Sequence, residues 1–280
     1  MRHTVKLAQG LVPFVTSLAT SLVVATSPSL AATLASSQAT VNLNNFSHAP
    51  LDIFTLTNTN ASTISSNGSV KADANAQANF IADPLGATQA DNFSMSKTSG
   101  SGESYFGLAQ SFAGIIGYNF IVGENERFSF DFQAALNLET SIDQARFERA
   151  RADGKISLEL YNTTDPLNWV PLDFLTLSSN LATAGNGDFL TPQKSTSITF
   201  NPNETSFETS FGGSNEYAKA SVLGSYSRTF DSLTSLTLIE TKMNQASVKV
   251  PVPESSNQIS LLLFGLFCLG YGVKQKVLEK

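Results

Sequence analysis

Few side chains in this 280-residue chain are of types that do chemistry, and their spacing shortens the list further. Two histidines occur, His3 and His48, and the one cysteine, Cys268, lies in an apolar stretch near the end. A Ser-His-Asp triad, a thiol nucleophile and a multi-histidine metal site are thereby nearly removed from the middle of the chain. Carboxylates remain. Glycoside hydrolysis needs two of them about 5 Å or about 9 Å apart, and Asp131 with Asp143, or Glu159 with Asp173, are the pairs that facing strands would bring together. Ordinary exposed carboxylates are the simpler reading of all four. Asp188 beside Asn186 and Gly187, and Asn203 beside Glu204, offer oxygen ligands for calcium, but without a dense Asp/Asn/Gly repeat around them. No Gly-x-Ser-x-Gly elbow, Ser-x-x-Lys pair or His-Glu-x-x-His motif is present. The expectation is a protein with no catalytic residue, no metal site and no cofactor.

Binding chemistry is better represented. Trp169, the single tryptophan, stands in Asn168-Trp169-Val170-Pro171 between two predicted strands. An exposed aromatic ring stacks on the apolar face of a sugar, and Tyr161 and Tyr217 are its candidate companions. The competing reading has Trp169 closing one end of the core. Arg146, Arg149, Arg151 and Lys155 would form a patch for an anionic polysaccharide, or else a merely solvated basic face. Nucleic acid is not an expected partner. The formal net charge is −6, five of the basic residues (Arg2, Lys6, Lys274, Lys276, Lys280) sit at the two ends, and no basic stripe is left to neutralise phosphates.

Both ends of the chain read as addresses. Arg2, His3 and Lys6 precede an apolar run from Leu11 to Ala25, and Ser29 and Ala31 supply the small residues of a cleavage site before Ala32. This is the pattern of a secretory signal peptide over residues 1–31, which implies export machinery of the Sec type and a signal peptidase as partners. At the other end, Val252-Pro253-Glu254-Ser255 is followed by Ile259–Val273, which carries no charge, and by Lys274, Lys276 and Lys280. At about 1.5 Å per residue the apolar run makes a helix of about 22 Å, short of the ~30 Å hydrocarbon core. The lysines would hold its end on the cytoplasmic side. A segment that pauses in the bilayer but anchors poorly suits a sorting signal that is read and removed.

In this order of parts, residues 251–280 resemble the PEP-CTERM sorting signal of exported bacterial proteins. Pro253 and Glu254 match the family motif, Ser255 stands where the family has a second proline, and lysine replaces the usual arginine in the basic end. The resemblance implies recognition by an exosortase-like membrane transpeptidase, transient anchoring in the inner membrane through the tail, and delivery to the cell envelope or surface, with release to the extracellular matrix as a further destination. A plain C-terminal transmembrane anchor is the rival reading.

The body between these segments shows the periods of strands. Arg127–Ala134 alternates aromatic and polar residues through Phe128, Phe130 and Phe132, after a turn at Gly123–Asn125. Ile156–Leu160 repeats the alternation after Asp153-Gly154, read as a turn, and Leu172–Leu177 follows Asp165-Pro166. Val222, Gly224, Tyr226, Arg228 and Phe230 share a strand face, and Leu233–Thr241 and Ala246–Val250 form a closing pair joined through Asn244. Residues 104–116 favour strand over helix because Gly107 and Gly114 weaken a helix. Residues 141–151 fit either a short helix or a strand. The Ala/Ser/Thr/Asn-rich residues 32–102 hold few large apolar side chains to offset ordering entropy and are expected to be partly mobile, with edge-like strands at 54–56 and 69–78. The expected architecture is an all-β antiparallel sandwich, jelly-roll-like, with its core over 103–250. The expected function is an exported, non-enzymatic envelope or matrix protein whose body binds polysaccharide or itself. The alternative is a polysaccharide hydrolase or lyase built on paired carboxylates.

Overall fold

The computed structural model describes residues 32–82 and 88–250. The predicted signal peptide 1–31 and the sorting segment 251–280, with Ala31, Val252, Pro253, Glu254 and Ser255, lie outside the described residues. Eleven strands follow one another: β1 Ala32–Asn44, β2 Asp52–Ile81, β3 Gln89–Val122, β4 Arg127–Ser141, β5 Arg149–Asn162, β6 Val170–Thr183, β7 Phe189–Lys194, β8 Ile198–Phe200, β9 Ser206–Ser210, β10 Asn215–Thr229 and β11 Thr234–Val250. Every ladder is antiparallel, and all strands belong to one sheet of order β7-β6-β5-β11-β3-β1-β4-β10-β8, with β2 on β3 and β9 on β10.

The all-β antiparallel class is as the alternation predicts. The two separate sheets of a jelly roll are not. One hairpin, β2–β3, runs through both halves and joins them. Residues 90–101 of β3 pair with β1, residues 105–122 pair with β11, and β2 lies along the opposite edge of both. Between the halves the hairpin turns a corner at Gly68 and Gly102, with φ of 150° and 110°. The corner folds the sheet over, so that β1 faces β11 and β5 across the interior while β4 faces β5 and β6. The far ends, β7 and β8, are consecutive in the chain, and the sheet nearly closes into a barrel. Asp173 on β6 stitches this seam, accepting hydrogen bonds from Tyr226 Oη (3.0 Å) and Arg228 Nη1 (2.9 Å) on β10. Glu216 on β10 stitches it again by accepting from Thr183 at the end of β6 and from the backbone N–H of Gly212 (2.8 Å).

Residues 32–82 and 88–102 belong to the sheet itself. They form β1, β2 and the first half of β3, and the boundary expected at 102/103 falls inside β3. Small side chains suit this position because β1 sits between β3 and β4 with the opposite wing pressed against it. Gly154 is likewise no turn. It lies within β5, where an added Cβ would sit 2.7 Å from Leu136 Cδ1 and 2.8 Å from Ser37 Oγ, so its smallness lets the two wings approach. Asn244 lies within the continuous strand β11. Residues 141–151 become a turn followed by the start of β5 rather than a helix.

The interior is layered. The larger apolar cluster is aromatic at its centre, where Phe128, Phe130 and Phe132 are all buried, a burial worth roughly 2 kcal/mol each. Phe120 and Phe128 lie 5.0 Å apart and Phe130 and Tyr226 5.2 Å apart. A second, smaller cluster gathers Ala35, Tyr105, Ile142, Ala150, Ala246, Val248 and Val250. Between the two runs a belt of buried polar side chains. Ser37 donates to Asn244 Oδ1 (2.6 Å), Asn244 Nδ2 donates to Ser94 Oγ (2.9 Å), and Ser94 and Ser96 both bond Ser111 (2.8 and 2.9 Å). The belt continues into Asn92, Glu240 and Lys242.

Candidate functional site

The outward side chains of β5 lie on the face of the β6–β5–β11–β3–β2 wing, and the alternation of the strand arranges them in one line. From one end they read Arg149, Arg151, Asp153, Lys155, Ser157, Glu159 and Tyr161. Beside them, β11 presents Lys249 opposite Arg149 and Met243 opposite Lys155, while β6 presents Phe174 opposite Glu159. One face therefore carries a basic end and an aromatic end.

At the aromatic end a local irregularity sets the geometry. Leu160 pairs with Asp173 but Tyr161 pairs with Pro171, so Leu172 is an extra residue that turns the start of β6 outward. The loop before β6 is pinned by Thr163 N–H donating to Ser235 O (2.8 Å) and by Asp165, whose Oδ1 accepts from Leu167 N–H (3.0 Å) and whose carbonyl accepts from Asn168 N–H (3.1 Å). Trp169 is thereby held over the end of the strand, 42% exposed. Its ring lies 6.0 Å from that of Tyr161, at 51°, and 6.4 Å from that of Tyr118, edge-on at 68°. Tyr161 Oη donates to Glu159 Oε2 (2.5 Å) and Ser157 Oγ to Glu159 Oε1 (2.9 Å). The bond to Glu159, with burial, pushes the Tyr161 hydroxyl up to about 12, so it stays a donor at any ordinary pH. An open depression of ≈ 390 Å³ adjoins this corner, lined by Glu159, Tyr161, Pro171, Phe174 and Thr176 among others.

The structure brings Trp169 and Tyr161 together, and leaves Tyr217 out. Tyr217 is on the outer face of the opposite wing, opposite Glu139 and under the Lys219 ammonium (5.1 Å). The missing companion is Tyr118, near the end of β3. Its proximity depends on the register across β3, β11 and β5, a relation between segments distant in the chain. Of the basic residues, Arg149, Arg151 and Lys155 line up on β5, with Arg151 held by Asp153 at 2.9 Å. Arg146 sits apart in the preceding turn, over the Phe147 ring.

The paired-carboxylate readings fail on geometry. Asp173 points into the barrel with Leu160 while Glu159 points out with Phe174, so the two lie on opposite faces of the sheet. Burial pushes the Asp173 carboxyl up, but hydrogen bonds from Ser195, Arg228, Tyr226 and Ser197 outweigh it and hold the group below the usual carboxylate range. Asp131 accepts from Asn45 Nδ2 near the start of β4 and Asp143 accepts from Ala32 N–H beyond its other end. At about 3.3 Å per residue they are more than about 30 Å apart. Asp188 accepts from Ala182 N–H (2.7 Å) within its own turn, and Asn203 N–H donates to Asn201 Oδ1 (3.1 Å). Among the described residues no three His, Cys, Asp or Glu side chains converge as a metal site would require, and no helix is long and apolar enough to cross a membrane. No protein family, curated protein or solved structure matches the chain.

Proposed function

We propose that this is an exported, non-enzymatic protein of the cell envelope or extracellular matrix that binds polysaccharide along the outer face of β5. The observation that carries the reading is the trio of exposed Trp169 and half-buried Tyr161 and Tyr118 at one end of a face whose other end bears Arg149, Arg151, Lys155 and Lys249. Aromatic faces take sugar rings, the Glu159 carboxylate and Thr176 offer hydrogen-bond partners to sugar hydroxyls, and the basic end suits an acidic glycan. Over residues 149–161 the strand runs about 40 Å, long enough for several sugar units of an extended chain. The separation of the carboxylate pairs favours binding over hydrolysis.

The test is retention of the purified chain on immobilised bacterial polysaccharides, acidic and neutral. Binding to acidic glycans without new reducing ends is expected, weakening as salt screens the arginines. Trp169→Ala should lower retention about tenfold, the order of one lost aromatic stacking contact, while circular dichroism stays that of a β protein. Unchanged retention in that variant would move the site elsewhere, and new reducing ends would install the hydrolase reading instead.

Export belongs to the same proposal. Sec machinery and a signal peptidase would cut after Ala31. In support, the backbone nitrogen of Ala32 bonds Asp143 Oδ2 at 2.7 Å, so a cut there would seat a new α-ammonium against a carboxylate. At the other end, an exosortase-like transpeptidase would read Val252-Pro253-Glu254-Ser255. Proline keeps that segment extended and out of a helix, and Glu254 adds a charge to recognise. The Pro253→Ala, Glu254→Ala double variant is expected to be exported but to keep its tail, whereas Ser255→Pro is processed at least as well. Mass spectrometry of the surface form reads both, and normal tail removal in the double variant would assign the cut to a general protease.

A further inference from the structure

Two side chains that almost never enter a protein interior do so here side by side. Glu240 and Lys242, on the inward face of β11, are each 0% exposed, and Lys242 Nζ lies 2.6 Å from Glu240 Oε1. The second oxygen of the same carboxyl, Oε2, accepts a hydrogen bond from Nδ2 of Asn92, which is 5% exposed on the first half of β3. An amine and a carboxamide are thus docked on the two oxygens of one carboxyl group, between the two wings of the barrel. The Asn92 amide is held by one end only: its Oδ1 is buried and makes no hydrogen bond among the described residues. A buried orphan of this kind asks for an explanation beyond packing.

We propose that Lys242 and Asn92 react to form an amide cross-link inside the barrel, with Glu240 carrying the proton. Burial pushes the Lys242 amine down and the Glu240 carboxyl up, which favours a neutral amine beside a protonated acid, the pair that the chemistry needs. The Lys242 Nζ lone pair attacks Asn92 Cγ, and a new C–N bond forms. Glu240 gives its proton to the departing Nδ2 as the bond to Cγ breaks, and its other oxygen takes the proton that Nζ sheds. Ammonia leaves, Glu240 returns to its starting form, and neither oxidant nor co-reactant is needed. Holding amine and amide on one carboxyl converts a slow bimolecular aminolysis into an intramolecular reaction, the setting in which proximity raises rates most. The product ties the first half of β3, in the wing of β1 and β4, to β11, in the wing of β5 and β6. The inference is independent of the polysaccharide reading, because no residue of the outer face takes part.

Peptide mapping of the full chain, purified and digested with trypsin under denaturing conditions, decides it. The expected result is no cleavage after Lys242 and a branched peptide that joins the Asn92 and Lys242 segments, with the summed mass less one ammonia. Lys242→Arg and Glu240→Gln should each give linear peptides of full mass. Recovery of a linear peptide ending at an unmodified Lys242 from the wild-type chain overturns the proposal, and leaves a buried ion pair. Loss of ammonia that persists in Lys242→Arg overturns it too, by assigning the loss to cyclisation of an asparagine. Should Glu240→Gln fail to fold, the wild-type map and the folded Lys242→Arg chain still decide between these outcomes.

Discussion

The chain with Gly102→Ala is expected to lose more than about 3 kcal/mol of stability, enough to move its unfolding midpoint far below that of the parent. Gly102 sits at the corner of the β2–β3 hairpin with φ of 110°, where an added Cβ would lie 2.5 Å from Gly68 Cα and 2.7 Å from Asn67 O. Both obstacles are backbone and cannot rotate away. Since β1 and β11 take their places from the two sides of this corner, the strain falls on the element that folds the sheet over. Gly187→Ala is the control. Its φ of 108° is similar, but nothing lies within 4 Å of the new methyl group, so it should show conformational strain alone, on the order of 1 kcal/mol. Chemical denaturation followed by circular dichroism compares the two. A Gly102→Ala chain no less stable than Gly187→Ala would mean that the corner relaxes freely.

The second large effect is expected at Glu240. Glu240→Ala leaves the Lys242 amine buried with no acidic partner, a change that costs about 3–5 kcal/mol in protein interiors. The double variant Glu240→Leu, Lys242→Met removes both titratable groups at similar volume and should recover most of that loss. Neither chain can form the Lys242–Asn92 bond, so the difference between their denaturation midpoints isolates the unpaired amine. A double variant as unstable as the single one would show that packing of the belt, rather than the unpaired amine, dominates here.

Alternation made the hydrophobic face of β4 legible, because Phe128, Phe130 and Phe132 each meet the interior and the turn at Gly123–Asn125 precedes them. The same rule failed at Gly154 and Asn244, which resemble turn residues in one dimension. In three dimensions they occupy places where the opposite wing comes close, and only the packing partners, Leu136 and Ser37 for one and Ser94 for the other, reveal why. Tyr161 and Trp169 were within reach of sequence reasoning since few residues separate them. Tyr118 was not, as its place depends on the register of two intervening strands. The belt did leave a trace. Leu238, Glu240, Lys242, Asn244, Ala246 and Val248 alternate without interruption, and a face that is apolar at both ends continues inward through its polar middle.

The position of β11 sets the timing of folding. The last described strand in the chain is a central strand in the sheet, lying between β3 and β5 with Val250 opposite Tyr105. A chain that leaves a membrane channel amino end first presents β1 to β10 with this gap open. The partners on either side, β3 and β5, keep unpaired edges until residue 250 has emerged, and such edges invite pairing with other chains. Long-range strand closure is also slow relative to local contacts. On the proposed export route crossing and folding would be successive events, and a tail that holds residue 250 at the membrane surface would keep each chain apart from its neighbours during the interval when its open edges are most exposed.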